Sequence, residues 1–167
     1  GATFNENLNS QFVRYARHEF GVPTGLVSVN SSGRAGAPEH VSRHSADVLF
    51  DGPHDQERWD VRWRQGDVTT GLFEFRESKK SAEELSDARA VLDRRSDTFV
   101  ILTVQRRRHV APMARSFRLR PGDRAGIALF LRAKEQAIAE LALQGWHLLP
   151  AGAASEESDD RIFSAPP

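Results

Sequence analysis

The 167-residue sequence contains no cysteine, a single methionine and a single tyrosine. The absence of cysteine excludes disulfide bonds and thiolate metal sites, and it is typical of proteins in a reducing compartment, so we expect a cytoplasmic location. Long apolar runs are also missing: none approaches the ~18 residues of a membrane-spanning helix, and we expect no membrane contact. Charge of one sign is not in excess, because 23 Lys and Arg balance 23 Asp and Glu. Nucleic-acid binding would therefore depend on where the charges lie.

The composition that is present describes a globular protein. Hydrophobic residues make up 39% of the chain and charged residues 28%, and this length suffices to bury a core in one unit. We expect a single domain over residues 1–153. Residues 154–167 are rich in acidic residues and are expected to form a solvated, flexible tail.

Hydrophobic periodicity predicts the order of the elements. The predicted elements are a helix over 4–20, strands over 41–50, 58–64 and 70–77, a helix over 81–95, a strand over 98–104, a long helix over 122–143 and a short strand over 146–149. The first helix is predicted to bury a stripe that contains Leu8, Phe12 and Tyr15. Strands 70–77 and 98–104 are expected to run parallel because a helix connects them. This order predicts an α/β fold with a mixed central sheet flanked by helices.

Two predicted strands carry acidic residues in a pattern that indicates a metal-binding or catalytic site. Asp47 stands at the head of an apolar strand, and Glu74 and Arg76 follow each other at a spacing of two. Period-2 alternation places Glu74 and Arg76 on one face of their strand, and Phe73 and Phe75 on the other. A carboxylate and a cation so arranged can hold a divalent metal beside a phosphate.

The run Ala46-Asp47-Val48-Leu49-Phe50 and the run Phe73-Glu74-Phe75-Arg76, on consecutive core strands, resemble the PD-(D/E)xK nuclease superfamily. The resemblance implies a restriction-endonuclease-like αβββαβ core over roughly residues 4–105, to which a C-terminal helix and short strand are added. It also implies that Asp47 and Glu74 bind Mg²⁺ or Mn²⁺, and that Arg76 occupies the position of the family lysine. The metal would lower the pKa of a bound water and neutralise charge on the phosphodiester.

Several alternatives stay open at this point. Arginine cannot act as a general base. With Arg76 at the lysine position, the protein is either an active variant of the family or a degenerate member of it. Glu77 and Lys79 spell the motif in a shifted register, Asp60 is an alternate metal ligand, and Glu6 is the candidate acid on the first helix.

The most basic segment follows strand 98–104. It comprises Arg106, Arg107 and Arg108, followed by Arg115, Arg118, Arg120 and Arg124. Arginine is suited to phosphate contacts, so Arg106–Arg108 are candidate nucleic-acid ligands.

Three functions are compatible with these observations. The first is a metal-dependent nuclease that acts on DNA, with RNA as the other substrate, alone or as a domain of a larger system. The second is an inactive domain of the same fold that binds nucleic acid or a protein partner. The third is an interaction module with an unrelated α/β fold. A homodimer or a partner subunit is compatible with each of them.

Overall fold

The computed structural model describes residues 6–22, 25–28, 46–50, 54–76 and 97–150. Within these ranges the α-helices are α1 (Glu6–Phe20), α2 (Gln56–Arg64) and α3 (Lys134–Leu143), the last preceded by a 3₁₀ turn at Leu131–Ala133. The strands are β1 (Gly25–Val27), β2 (Ala46–Val48), β3 (Val68–Phe75), β4 (Phe99–Arg106), β5 (His109–Pro112), β6 (Arg124–Phe130) and β7 (Trp146–Leu148). The protein is therefore of the α/β class.

Five strands form one antiparallel sheet in the order β5-β4-β6-β3-β7. β6 lies at its centre and pairs with both β3 and β4. Because each of these two strands is antiparallel to β6, they run in the same direction, as the sequence predicts. They are not neighbours, and the five-stranded sheet is antiparallel throughout, so the predicted mixture of parallel and antiparallel pairing is not found in this sheet.

One face of the sheet carries the core. Alternate residues of the strands point to this face and meet α3, whose Ala137 and Leu141 are fully buried. The sheet residues of the cluster include Phe73, Ile101, Val104, Ala125, Ile127, Leu129 and Trp146. The Trp146 ring packs edge-on against Phe75, with centroids 5.2 Å apart.

Helix α2 lies against the opposite face, at the end where β6 finishes. The guanidinium of Arg62 stacks 4.0 Å from the centroid of the Phe130 ring, and it also hydrogen-bonds the backbone oxygen of Asp97. Phe130 pairs with Val68 in register, so period 2 places both on the face that also carries Glu74. The other end of this face, which holds Glu74, is the end that positions the candidate site.

A smaller pair of strands extends the edge next to β5. β1 and β2 are parallel to each other, and Leu49 forms an antiparallel bridge with Ala114, just after β5. Helix α1 packs on β1 through Val13, which is 6% exposed. Gly25 permits this close approach, because an added Cβ would overlap Cγ1 of Val13.

Replacing Gly25 with alanine is expected to lower the free energy of unfolding by about 1–3 kcal/mol, since the methyl group overpacks the contact between α1 and β1. Urea denaturation measures the effect. The double variant Gly25→Ala/Val13→Ala should lose less stability than the sum of the single changes. Strict additivity would show that α1 does not pack on β1 at this point.

The predicted strand over 58–64 is wrong, since these residues lie in helix α2. Asp55 caps that helix by accepting a hydrogen bond from the Arg58 amide at 3.0 Å. Glu57 in the first turn and Arg64 in the last complement the helix dipole. These start and stop signals outweigh the alternation of apolar residues from which the strand was predicted.

The predicted helix over 122–143 is correct only in its second half. Residues Arg124–Phe130 form β6 because pairing on both sides, with β3 and β4, outweighs the helix propensity of alanine and leucine. Gly122, with φ of 88°, marks the turn before the strand.

The helix predicted over 4–20 is confirmed as α1, but its predicted buried stripe is wrong. Leu8, Phe12 and Tyr15 are 39%, 53% and 59% exposed, whereas Asn9 and Val13 are buried. The buried face is set by β1, which packs on Val13. The helix predicted over 81–95 and the acidic tail lie outside the described residues. In the described ranges, no helix is both long and apolar enough to cross a membrane.

Candidate functional site

The structure does not bring Asp47 and Glu74 onto adjoining strands. Asp47 lies in β2, which joins the sheet beside the segment after β5, and β4 and β6 separate that edge from Glu74 on β3. Adjacent strands are about 4.8 Å apart, whereas two oxygens on one Mg²⁺ each lie ~2.1 Å from the ion. The predicted metal pair therefore does not fit the observed strand order.

Asp47 is instead engaged in holding a loop. Its carboxylate accepts hydrogen bonds from the Ser116 amide, at 3.2 Å to each oxygen, and from the Ser116 hydroxyl. It also accepts a bond from the Val48 amide at 2.9 Å, and the Arg115 amide donates to the Val48 oxygen. The acid at the head of β2 thus fixes the chain that leaves β5.

Glu74 and Arg76 lie together at the end of β3, as their spacing predicts. Arg76 Nε donates to Glu74 Oε1 at 3.2 Å, and the two side chains are 60% and 28% exposed. Glu74 pairs in register with Arg124 of β6 on one side and with His147 of β7 on the other. Residues that pair in register point to the same face, so a carboxylate, an imidazole and two guanidiniums share this end of the sheet.

The alternate metal ligands do not complete a metal site in the described ranges. Asp60 lies in helix α2 rather than at the head of a strand, and it pairs with Arg64 one turn away. Glu6 begins α1, but its side chain lies outside the described part, as do Glu77 and Lys79. Across the described residues, no group of three or more His, Asp or Glu could hold a metal ion.

Arg106 forms the most buried ion pair at the end of the sheet where β4 finishes and β6 begins, among the residues that the structure describes. Its Nε and Nη2 donate to the two oxygens of Asp123 at 2.8 and 2.7 Å, and the Asp123 side chain is only 3% exposed. Arg106 Nη2 also donates to the Arg118 carbonyl at 2.6 Å, and its guanidinium stacks on Phe117. Asp123 in turn accepts from the Arg120 amide at 2.8 Å. The predicted phosphate ligand Arg106 is therefore a structural residue that ties segment 116–123 to β4.

The electrostatics of Asp123 agree with this arrangement. Burial alone would raise the pKa of Asp123, but hydrogen bonds from Arg106 and the Arg120 amide outweigh it and hold that pKa below its ordinary value. The hydrogen bonds that Arg106 donates to Asp123 raise the pKa of Arg106. Both groups are charged in the folded protein at neutral pH.

The ion pair of Arg106 with Asp123 tethers segment 116–123 to β4, and it places two pairs of arginines next to each other. We call these four residues the arginine surface: Arg107, Arg108, Arg118 and Arg120. All four are exposed. The first two form the tip of the turn between β4 and β5, and the others flank the contacts of segment 116–123 with Arg106 and Asp123. Within the described ranges, no carboxylate forms an ion pair with any of these four side chains.

Arg107 has a backbone conformation that arginine rarely adopts, with φ of 55°. Glycine or asparagine is favoured there, because a Cβ is strained in the left-handed region. The Arg107 carbonyl accepts from the Gln105 side chain at 3.0 Å, which holds the turn.

Sequence reasoning placed Arg118 and Arg120 in a basic segment but missed Asp123 and Ser116, which position that segment. Asp123 follows Pro121 and Gly122, a pattern that indicates an exposed turn residue, so nothing local distinguishes it as buried. His147 was missed because its partner Glu74 is distant in sequence.

Comparison with protein families, with curated proteins and with solved structures finds no match to this chain.

Proposed function

We propose that this protein binds nucleic acid through the phosphate backbone, with the arginine surface as the contact region. The observation that supports the proposal is the local excess of four exposed guanidiniums, none of which forms an ion pair with a carboxylate in the described ranges. Arg120 interacts with Asp123 only through longer-range attraction. The chain as a whole carries no net charge, so the positive charge is concentrated locally, in a basic segment whose two parts the fold holds together. Two contacts hold the surface in place: the ion pair of Arg106 with the buried Asp123, and the hydrogen bonds from Ser116 to Asp47.

Arginine is suited to this role because its planar guanidinium donates two hydrogen bonds to one phosphate and stays charged at neutral pH. Such contacts carry affinity without reading the base sequence. The expected mode is therefore contact with phosphates.

The metal-dependent nuclease is the second candidate, and the association of Glu74 with Arg76 favours it. Asp47 would not serve it as a ligand, because that carboxylate is occupied by Ser116. A restriction-endonuclease-like arrangement stays a hypothesis that depends on Glu77 and Lys79, outside the described residues. Cleavage assays with and without Mg²⁺ or Mn²⁺ separate this candidate from binding alone.

Replacing Arg107 with asparagine is expected to weaken nucleic-acid binding about 5- to 10-fold, because one phosphate contact is lost. The same change should leave stability unchanged or raise it by up to ~1 kcal/mol, since asparagine tolerates the left-handed backbone better. Fluorescence anisotropy with a duplex and a single strand measures affinity, and thermal denaturation measures stability.

Opposite effects on affinity and stability would assign Arg107 to binding, since a structural residue would lose both together. Arg132→Gln is the matched control, because Arg132 is 72% exposed at the far end of β6 and pairs with Asp67. It removes the same charge and should leave affinity nearly unchanged. Equal losses in the two variants would contradict the assignment of the surface.

A further inference from the structure

Glu74 and His147 lie in register on neighbouring strands, and two arginines flank them. We infer that this group is a metal-independent active site that cleaves RNA through the ribose 2′-hydroxyl. The inference rests on the proposed nucleic-acid binding, and it adds a substrate class and a reaction.

The sheet determines the geometry of the group. Glu74 is the register partner of both Arg124 and His147, so their Cβ atoms lie on one face about 4.5–5.5 Å from that of Glu74. Arg76 directly follows the last residue of β3, and its Nε donates a hydrogen bond to Glu74 Oε1 at 3.2 Å. Gln105 of β4 continues the row next to Arg124.

The side chains of this group are partly exposed, so a ligand can reach them. Glu74 is 28% exposed and Arg76 is 60% exposed, while Arg124 and His147 are half-buried. In the part of the chain that the structure describes, no hydrogen bond engages the His147 ring. Helix α2 covers only the far end of this face, at Phe130.

These side chains match the requirements of transesterification in RNA. The Glu74 carboxylate accepts the proton of the 2′-hydroxyl, and the 2′-oxygen then forms a bond to the adjacent phosphorus. The bond from phosphorus to the 5′-oxygen breaks as His147, in its imidazolium form, donates a proton to that leaving oxygen. Arg76 and Arg124 stabilise the additional negative charge on the phosphorane. The products are a 2′,3′-cyclic phosphate and a 5′-hydroxyl end, and solvent restores the two proton positions.

The arginine surface lies at the same end of the sheet, because Gln105, next to Arg106 at the end of β4, pairs with Arg124 at the start of β6. Arg106 points to the core face, two residues on from Val104, whereas Glu74 lies on the other face. A strand of RNA bound to the arginine surface through its phosphates therefore reaches Glu74 by passing around this end of the sheet. DNA can bind in the same way but lacks the attacking hydroxyl, so it is a ligand and not a substrate.

The test uses the full chain with a labelled single-stranded RNA in excess EDTA, and with the same RNA carrying one 2′-deoxyribose at the cleaved position. We expect cleavage of the first RNA to a 2′,3′-cyclic phosphate, and protection of the deoxy-substituted position. Glu74→Gln and His147→Gln should each lower the cleavage rate by about 10²- to 10⁴-fold. RNA affinity should change by less than a factor of about three, since the arginine surface supplies the backbone contacts.

Matched controls are Glu135→Gln on α3 and His18→Gln on α1, both exposed and away from this face. They should cleave at the wild-type rate. RNA that is bound but not cut in EDTA would overturn the inference and leave the binding proposal standing. Equal cutting of the deoxy-substituted position, or wild-type rates in both Gln variants, would also overturn it. If RNA and DNA are neither bound nor cut, both proposals fail together.

Discussion

The variant Asp123→Ala is expected to lose about 2–3 kcal/mol of unfolding free energy, because a buried carboxylate that accepts three hydrogen bonds is removed. The loss falls below that of a fully buried pair, since Arg106 is 34% exposed and can turn to water. Segment 116–123 would lose its connection to β4, so nucleic-acid affinity should fall as well. Urea denaturation and fluorescence anisotropy measure the two effects.

The matched control is Asp60→Ala. Asp60 also pairs with an arginine, but its side chain is 37% exposed, so the change should cost less than ~1 kcal/mol. A similar small loss at Asp123 would contradict the role of the buried pair as the tether of the arginine surface.

The pH dependence of stability provides a second test of Asp123. Its pKa is lower in the folded state than in the unfolded chain, so its contribution is present above the unfolded value. That contribution is lost as the pH falls through the folded value. The stability difference between the wild type and Asp123→Asn should therefore be largest near neutral pH and shrink below about pH 4.

Removing the whole arginine surface is expected to reduce nucleic-acid affinity about 10²- to 10³-fold at ~0.1 M salt, because four phosphate contacts are lost. The variant carries four changes: Arg107→Asn, Arg108→Gln, Arg118→Gln and Arg120→Gln. The loss should be similar for unrelated sequences, since phosphate contacts do not read bases. Stability should change little because all four side chains are exposed.

A control with the same net charge separates the surface from global electrostatics. It replaces four exposed arginines elsewhere with glutamine: Arg14, Arg58, Arg64 and Arg132. Its affinity should stay within a factor of about five of the wild type, because long-range attraction is screened beyond ~10 Å at this salt. Equal losses in both variants would mean that net charge alone determines binding.

Elements with a strong local signal could be predicted from the sequence. The apolar alternation around Phe73 indicates β3, and the continuous run that contains Val104 indicates β4. The stretches predicted wrongly are those in which tertiary pairing or capping decides. Arg124–Phe130 has the composition of a helix but lies between two strands, and Gln56–Arg64 alternates like a strand but has a capping aspartate.

The candidate site was predictable only where it is local. Glu74 and Arg76 are neighbours because a strand has period 2, which the sequence displays directly. Whether Asp47 reaches Glu74 depends on the strand order, and β4 and β6 intervene although they follow later in the chain. The partnership of Asp123 with Arg106 and that of Glu74 with His147 likewise join distant segments, and no local pattern indicates them.

The salt dependence of nucleic-acid affinity tests the central claim most directly. The logarithm of the association constant for a DNA duplex is measured against the logarithm of the salt concentration, for the wild type and for the four-arginine variant. If the arginine surface contacts phosphates, the variant should have a slope shallower by about 3–4, close to ~0.9 for each contact removed. Equal slopes in the two proteins would contradict the account.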